Sequence, residues 1–325
     1  MPSSNHRWEI EWKKWSRTCG LFESVNCVNL IRFVDKEGNM SKILVLAGGS
    51  VKGAFQAGVI KALFEKGYQP DAIYGVSAGS LNASYLVNQF GKQLNEGLPI
   101  SYPQAAQDLW DFWEQRITHP ECLSKPFSIF QLGWTALTKK FKGLVDTTPL
   151  RELLMDVLHL RNLNASPITL KVGAVNIIEG VMHYVDPSFE NFLDYLMASS
   201  AVPILMPVVK IEGDKRKSYL DGGLRDVAPL HKAIQDGATE VVVIACHTEM
   251  IEGGDFDSGD LLALVDRVMD IAVNEILNAD LKMSRSEVKL TIIRPKQPLS
   301  IDIQHFTKMD IRRMLETGYA LEMSE

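Results

Sequence analysis

The stretch that most constrains this chain runs from Ile43 to Ala83, where two short apolar runs each end in a glycine-rich turn that opens into a helix. The first run, Lys42 to Ala47, is apolar without alternation and reads as a buried parallel strand. The turn Gly48, Gly49, Ser50, Val51, Lys52, Gly53 follows, and Phe55, Val59, Ile60, Leu63 and Phe64 then recur at helical spacing up to Gly67, a natural C-terminal stop. Asp71 to Val76 repeats the strand pattern, Ser77 sits in the turn, and Leu81, Tyr85, Leu86 and Phe90 open a second helix. Strand, turn and helix in repeated order predict parallel strands joined by crossovers, with both turns at the same end of the sheet.

The remainder extends that alternation. Pro103 to Ile117 is an amphipathic helix carrying Leu109, Trp110, Phe112 and Trp113. A less regular region with Pro120, Pro126 and Trp134 then reaches Gly143, and it reads as outer-layer packing before it reads as a pocket cover. Thr148 and Pro149 start a helix bearing Leu150, Leu153, Leu154, Val157 and Leu158. Ile168–Val175 and Val181–Val185 are neighbouring strands, Asn191–Ser200 a helix, and Pro203 and Pro207 bracket an irregular apolar loop. Lys217–Leu220 forms a strand running into Asp221, Gly222 and Gly223. A helix at 229–236, a strand at 240–246, a helix at 261–281, a strand at 288–294 and a helix from Lys308 complete the chain. The expectation is an α/β fold, a three-layer sandwich around a mainly parallel sheet, spanning residues 41–325.

Residues 1–40 read as an extension of a different kind. Trp8, Trp12 and Trp15 are interleaved with Arg7, Lys13, Lys14 and Arg17, a pattern that suits either a helix lying on a lipid surface or an unstructured leader. No apolar run approaches the roughly 20 residues of a membrane span, and the N-terminus lacks the apolar core of a secretory signal. Cys19, Cys27, Cys122 and Cys246 show no metal-binding spacing. The expected location is therefore the cytoplasm, with a peripheral position at a membrane surface as the alternative. With 34 basic against 40 acidic residues, the balance gives no electrostatic case for nucleic acid.

Gly75, Val76, Ser77, Ala78 and Gly79 match G-x-S-x-G, in which small residues on either side let a strained turn present a serine hydroxyl at a strand end. A serine needs a base to take its proton. None of His6, His119, His159, His183, His231, His247 and His305 stands in a pattern that marks it as that base. Asp221 is better placed, at a strand end beside two glycines. Acyl transfer also needs donors for an oxyanion, and Gly48, Gly49 and Ser50 offer closely spaced N–H groups at a helix start. The same turn has Ser50 where a dinucleotide fingerprint wants its second glycine, and it lacks the Lys-Ser/Thr pair of a P-loop.

These three elements together resemble the patatin-like phospholipases. That family combines a glycine-rich oxyanion turn with a basic residue before its last glycine, a G-x-S-x-G serine, and a D-G-G or D-G-A aspartate. Here those are Gly48–Gly53 with Lys52, Ser77 between Gly75 and Gly79, and Asp221 with Gly222 and Gly223. The proline-bracketed loop after Ser199, Ser200 and Ala201 also resembles the family's segment before the aspartate. Two positions depart from its pattern: Ser50 stands where a glycine is usual, and Asp226 where a neutral polar residue is frequent. The resemblance implies a lipid acyl hydrolase with a Ser77–Asp221 dyad and no metal or cofactor. A histidine-based triad on the same serine and a lipid-binding protein without turnover stay open as alternatives, as does acyl transfer to an alcohol other than water.

Overall fold

The computed structural model describes residues 41–128, 143–211, 216–251, 261–282 and 288–323. The N-terminal tryptophans, Cys19, Cys27 and Trp134 lie outside them. β1 (Lys42–Leu46) runs through a 3₁₀ turn at Ser50–Lys52 into α1 (Gly53–Glu65), and β2 (Ala72–Val76) runs through Ser77 into α2 (Ala78–Asn95). There follow α3 (Tyr102–Arg116), the paired β3 (Lys125–Pro126) and β4 (Val145–Asp146), α4 (Thr148–Val157) and α5 (Leu160–Ala165). β5 (Thr169–Asn176), β6 (Val181–Val185), α6 (Phe192–Ser199), β7 (Val209–Lys210), β8 (Ser218–Asp221) and α7 (Leu230–Gln235) come next. The last elements are β9 (Glu240–Ile244), α8 (Leu261–Lys282), β10 (Lys289–Ile293) and α9 (Lys308–Met323).

The sheet order is β10-β9-β1-β2-β5-β8-β7, with β6 also paired to β5. From β10 to β5 every pairing is parallel. β1 and β2 are buried almost throughout, which is why their sequences are uniformly apolar. The helices place Phe55, Ile60, Phe64, Leu86 and Phe90 in one large core with the sheet. Gly58 and Gly318 let α1 and α9 approach each other: a Cβ at Gly58 would lie 2.0 Å from Leu315 O, and one at Gly318 2.1 Å from Phe55 O.

The sequence reading did not anticipate how β5 is shared. β6 pairs antiparallel with residues 172–176 of β5, taking one edge. The other edge is divided: β2 pairs parallel up to Val76 opposite Gly173, and β8 pairs antiparallel from Asp221 opposite Ala174. Consecutive residues of β5 therefore hold the end of β2 and the end of β8. This register brings Ser77 and Asp221 together across more than a hundred residues of chain.

Candidate active site

Ser77 leaves β2 with φ 54° and ψ −129°, a conformation that costs an L-residue of order 1–3 kcal/mol and persists only when its surroundings enforce it. The flanking glycines permit the turn. A Cβ on Gly75 would sit 2.4 Å from Gly79 O, and one on Gly79 2.1 Å from Leu46 O. The Ser77 N–H is donated to Ser199 Oγ at 3.0 Å, whose own hydroxyl is donated to Gly173 O at 2.6 Å. Ser199 thus ties the turn to β5.

Ser77 Oγ donates to Asp221 Oδ2 at 2.7 Å, and Asp221 Oδ1 accepts the Gly223 N–H at 2.7 Å. Both side chains are buried. Burial pushes the Asp221 carboxyl up to about 6, against the lowering effect of the Ser77 hydroxyl and the Gly223 amide. Gly222 is held against β5, where a Cβ would lie 2.6 Å from Gly173 O. Among the described residues no histidine bonds to Ser77 or Asp221 or lines the adjoining pocket.

The first glycine turn lies across from Ser77. A Cβ on Gly48 would approach Ser77 Cβ to 3.3 Å. Its N–H, however, is donated to Val227 O at 2.9 Å, so Gly48 supplies room and an anchor rather than the donor that its sequence suggested. The Gly49 and Ser50 amides have no intramolecular acceptor among the described residues, and they stand at the start of the 3₁₀ turn that continues into α1. Gly49 packs against Cys246, which a Cβ would meet at 2.3 Å. Ser50 adopts φ 52°, the left-handed conformation for which glycine is the ordinary choice. Val51 is buried and lines the pocket. Gly53 leaves space for Trp113, whose ring would lie 2.9 Å from a Cβ there.

Lys52 reaches Asp270 of α8. Its Nζ bonds Asp270 Oδ1 at 2.9 Å, and His247 Nε2 reaches the same oxygen at 2.9 Å. Burial raises the Asp270 carboxyl, but the His247 hydrogen bond and the Lys52 charge outweigh it and hold the group well below the usual carboxylate range. Burial also lowers His247, against the raising effect of its hydrogen bond to Asp270, and its Nε2 lies 3.2 Å from Lys52 Nζ as well. The other face of the turn rests on Gln56, whose Nε2 bridges Ala47 O at 2.8 Å and Ile244 O at 3.0 Å. Asn82 joins Gln56 Oε1 and Gly53 O, and accepts Trp113 Nε1 at 2.7 Å. Sequence reasoning missed Gln56, Asn82, Asp270 and the bonds made by Ser199. Gln56 and Asn82 carried a usable signal, as amides on otherwise apolar helix faces.

Asp226, the other departure from pattern, accepts the Tyr184 hydroxyl and pairs with Asp280. Asp280 Oδ2 in turn accepts the Val227 N–H at 2.9 Å and the Ala228 N–H at 3.2 Å. Burial and the charge of Asp226 raise the Asp280 carboxyl, and burial raises that of Asp226, which favours one proton shared between the two. Through Val227 this pair braces the segment that holds Gly48.

A largely apolar pocket opens at Ser77, walled by α2, α3 and α4 and by Val202 and Met206. Phe112 and Trp113 of α3 form one wall with Leu123, and the α4 residues, read from the sequence only as helix packing, form the opposite one. Among the described residues there is no cluster of metal-ligating side chains and no helix long and apolar enough to cross a membrane.

A family model described as patatin-like phospholipase matches residues 44–234, over half of the chain and inclusive of both turns and Asp221–Gly223. The uncharacterized protein YjjU of Escherichia coli (strain K12) is 29% identical over 205 residues, covering 62% of this chain and 50% of YjjU. The match therefore spans half the length of that relative. The crystal structure of VipD from Legionella pneumophila aligns with a TM-score of 0.40 at 15% identity, over 96% of this chain and 72% of VipD.

Proposed function

The chain belongs to the patatin-like phospholipase family, and on that premise we propose that it is a lipid acyl hydrolase in which Ser77 is the nucleophile and Asp221 the base. The observation that carries this reading is the 2.7 Å bond from Ser77 Oγ to Asp221 Oδ2 at the mouth of an apolar pocket. The proton of Ser77 passes to Asp221 as Oγ attacks the ester carbonyl. The Gly49 and Ser50 amides, at the positive end of a helix, then receive the developing oxyanion. The tetrahedral intermediate collapses, the alcohol leaves with the proton from Asp221, and the acyl group remains on Ser77. Water, deprotonated by Asp221, releases the fatty acid. A carboxyl raised to about 6 is ionised at neutral pH yet basic enough to take part. For substrate drawn from a lipid surface, the exposed Ile204 beside the pocket and the exposed Leu261, Val268 and Ile271 of α8 are the side that we assign to that contact.

The test is a fluorophosphonate probe together with a mass-spectrometric product screen on defined phospholipids and neutral lipids. Labelling confined to Ser77, with release of free fatty acid, is expected from the wild type and neither from Ser77→Ala. An intact protein that neither labels nor hydrolyses any acyl ester would instead be a lipid-binding member of the fold.

A further inference from the structure

The pocket that begins at Ser77 borders a second cavity. Ala78, Leu81 and Tyr85 line it along α2 at spacings of three and four, and the same stripe continues through Asn88, Gln89 and Lys92 into a second cavity. Opposite, Leu150, Leu153, Leu154 and Val157 form the matching stripe of α4. The two cavities share Tyr85 and Val157 and no other lining residue. At that junction the chemistry changes abruptly. On the Ser77 side the stripes are apolar, while beyond it Lys92, Asp156, His159 and Arg161 surround an open polar groove.

Tyr85 is suited to a boundary. Its ring packs against Phe112 with centroids 4.7 Å apart, whereas its phenol bonds Gln89 on the polar side. Val157 is the last residue of α4, and its carbonyl accepts from Asn88 Nδ2 at 3.1 Å, so the two helices are tied at this level.

We infer that Tyr85 and Val157 set the acyl-chain length of the substrate at about ten carbons, which rests on the reading that Ser77 carries the acyl group. Eight residues of α-helix separate Ser77 from Tyr85, a rise of about 12 Å. An extended chain with bonds of about 1.52 Å and angles of about 111° advances about 1.25 Å per carbon, so about ten carbons span the apolar segment. Each methylene inside that segment leaves water for hydrocarbon-like surroundings, and each one beyond it enters a groove where nothing is gained. The open groove lets longer chains pass without rejecting them, so medium-chain esters are the shortest to receive full binding.

The experiment is kcat/KM for p-nitrophenyl esters from C4 to C16, each kept below its micelle-forming concentration. The expected profile climbs about two- to fourfold per methylene to about C10 and changes by less than about twofold in total from there to C16. A climb that continues unbroken to C14, or a break at or below C6, overturns the length assignment while leaving Ser77 chemistry intact. Failure to hydrolyse any ester, with no fluorophosphonate labelling, overturns both. Leu81→Trp places a block four residues from Ser77, about 6 Å along α2, and moves the break to about C5. Val157→Asp, at the half-buried end of α4, puts a charge at the junction and lowers the C10 to C6 ratio at least tenfold; an unchanged ratio overturns the assignment even if Leu81→Trp fails to fold.

Discussion

Two aspartates stand on either side of the first glycine turn, and their surroundings give them opposite properties. Asp221 is buried with a hydroxyl and one amide for partners and, among the described residues, no cation, and its carboxyl rises to about 6. Asp270 is partly buried as well, but Lys52 and His247 converge on one of its oxygens and it is held below the usual range. A carboxylate without a counter-charge is costly in the folded state and available to take a proton, whereas one paired with lysine is stable and chemically inert. Burial alone does not fix the character of a carboxylate; the charge of its partners does.

Exchanging each carboxylate for its amide breaks the comparison most sharply. Asp221→Asn is expected to lower kcat/KM by about a thousandfold or more, since a general base is lost, and yet to raise the melting temperature. The difference between an ordinary carboxylate and one near 6 corresponds to about 3 kcal/mol of penalty at neutral pH. After the loss of hydrogen-bond geometry, a net gain of about 1–2 kcal/mol, or about 2–6 °C, should remain. Calorimetry beside the ester assay checks both signs. A variant that melts lower than the wild type would show that Asp221 is not destabilised by its site.

The same contrast sets two pH responses. Activity requires ionised Asp221, so kcat/KM should fall about tenfold per pH unit below about 6, and about a hundredfold between pH 8 and 4. Stability follows a different course. Because the folded pKa of Asp221 is raised, its contribution is most favourable below about pH 4 and is lost as pH rises toward 6; that of Asp270 is lowered, so its contribution is present above about pH 4 and lost as pH falls below it. In Asp221→Asn the first slope disappears from the stability profile and the second stays.

Asp270→Asn removes the charge facing Lys52 and leaves a partly buried ammonium without its counter-ion. A loss of about 1–3 kcal/mol in stability is expected, with a smaller activity loss of about tenfold through displacement of the turn. Double replacement with Lys52→Met should restore much of the stability and none of the lost turnover. A double variant as unstable as the sum of the singles would show that the two side chains do not interact.

The two glycine turns, the serine elbow and Asp221 were legible because each depends on local requirements: small residues where backbones approach, and a polar group at a strand end. Glu240–Ile244 and Ala72–Val76 were legible because buried parallel strands leave no polar face to disguise them. The meeting of β2 and β8 on one edge of β5 was not, since a register between Val76 and Asp221 is written in no single segment. Asp270 was equally hidden. On α8 it is one acidic residue among several, and only the fold places it before Lys52. Gly48 shows the converse, a residue read correctly as part of the turn whose amide was already committed to Val227 by long-range folding.

The mildest test concerns the turn that separates the two aspartates. Ser50 holds φ 52° without the freedom of glycine, at a cost of order 1 kcal/mol, while its amide is one of the two proposed oxyanion donors. Ser50→Gly removes the steric cost but adds backbone freedom to the unfolded chain, so the two effects largely cancel and stability should change by less than about 1 kcal/mol. Turnover should stay within about threefold of the wild type, because the donor is a backbone N–H that glycine retains. Ser50→Ala keeps the strain and the amide and removes only the hydroxyl, and should behave alike. A tenfold loss in both variants would assign the Ser50 hydroxyl itself to the site; a loss confined to Ser50→Gly would mean that the strained turn, held between Val227 on one side and Lys52–Asp270 on the other, needs its Cβ to keep the donors aimed at Ser77.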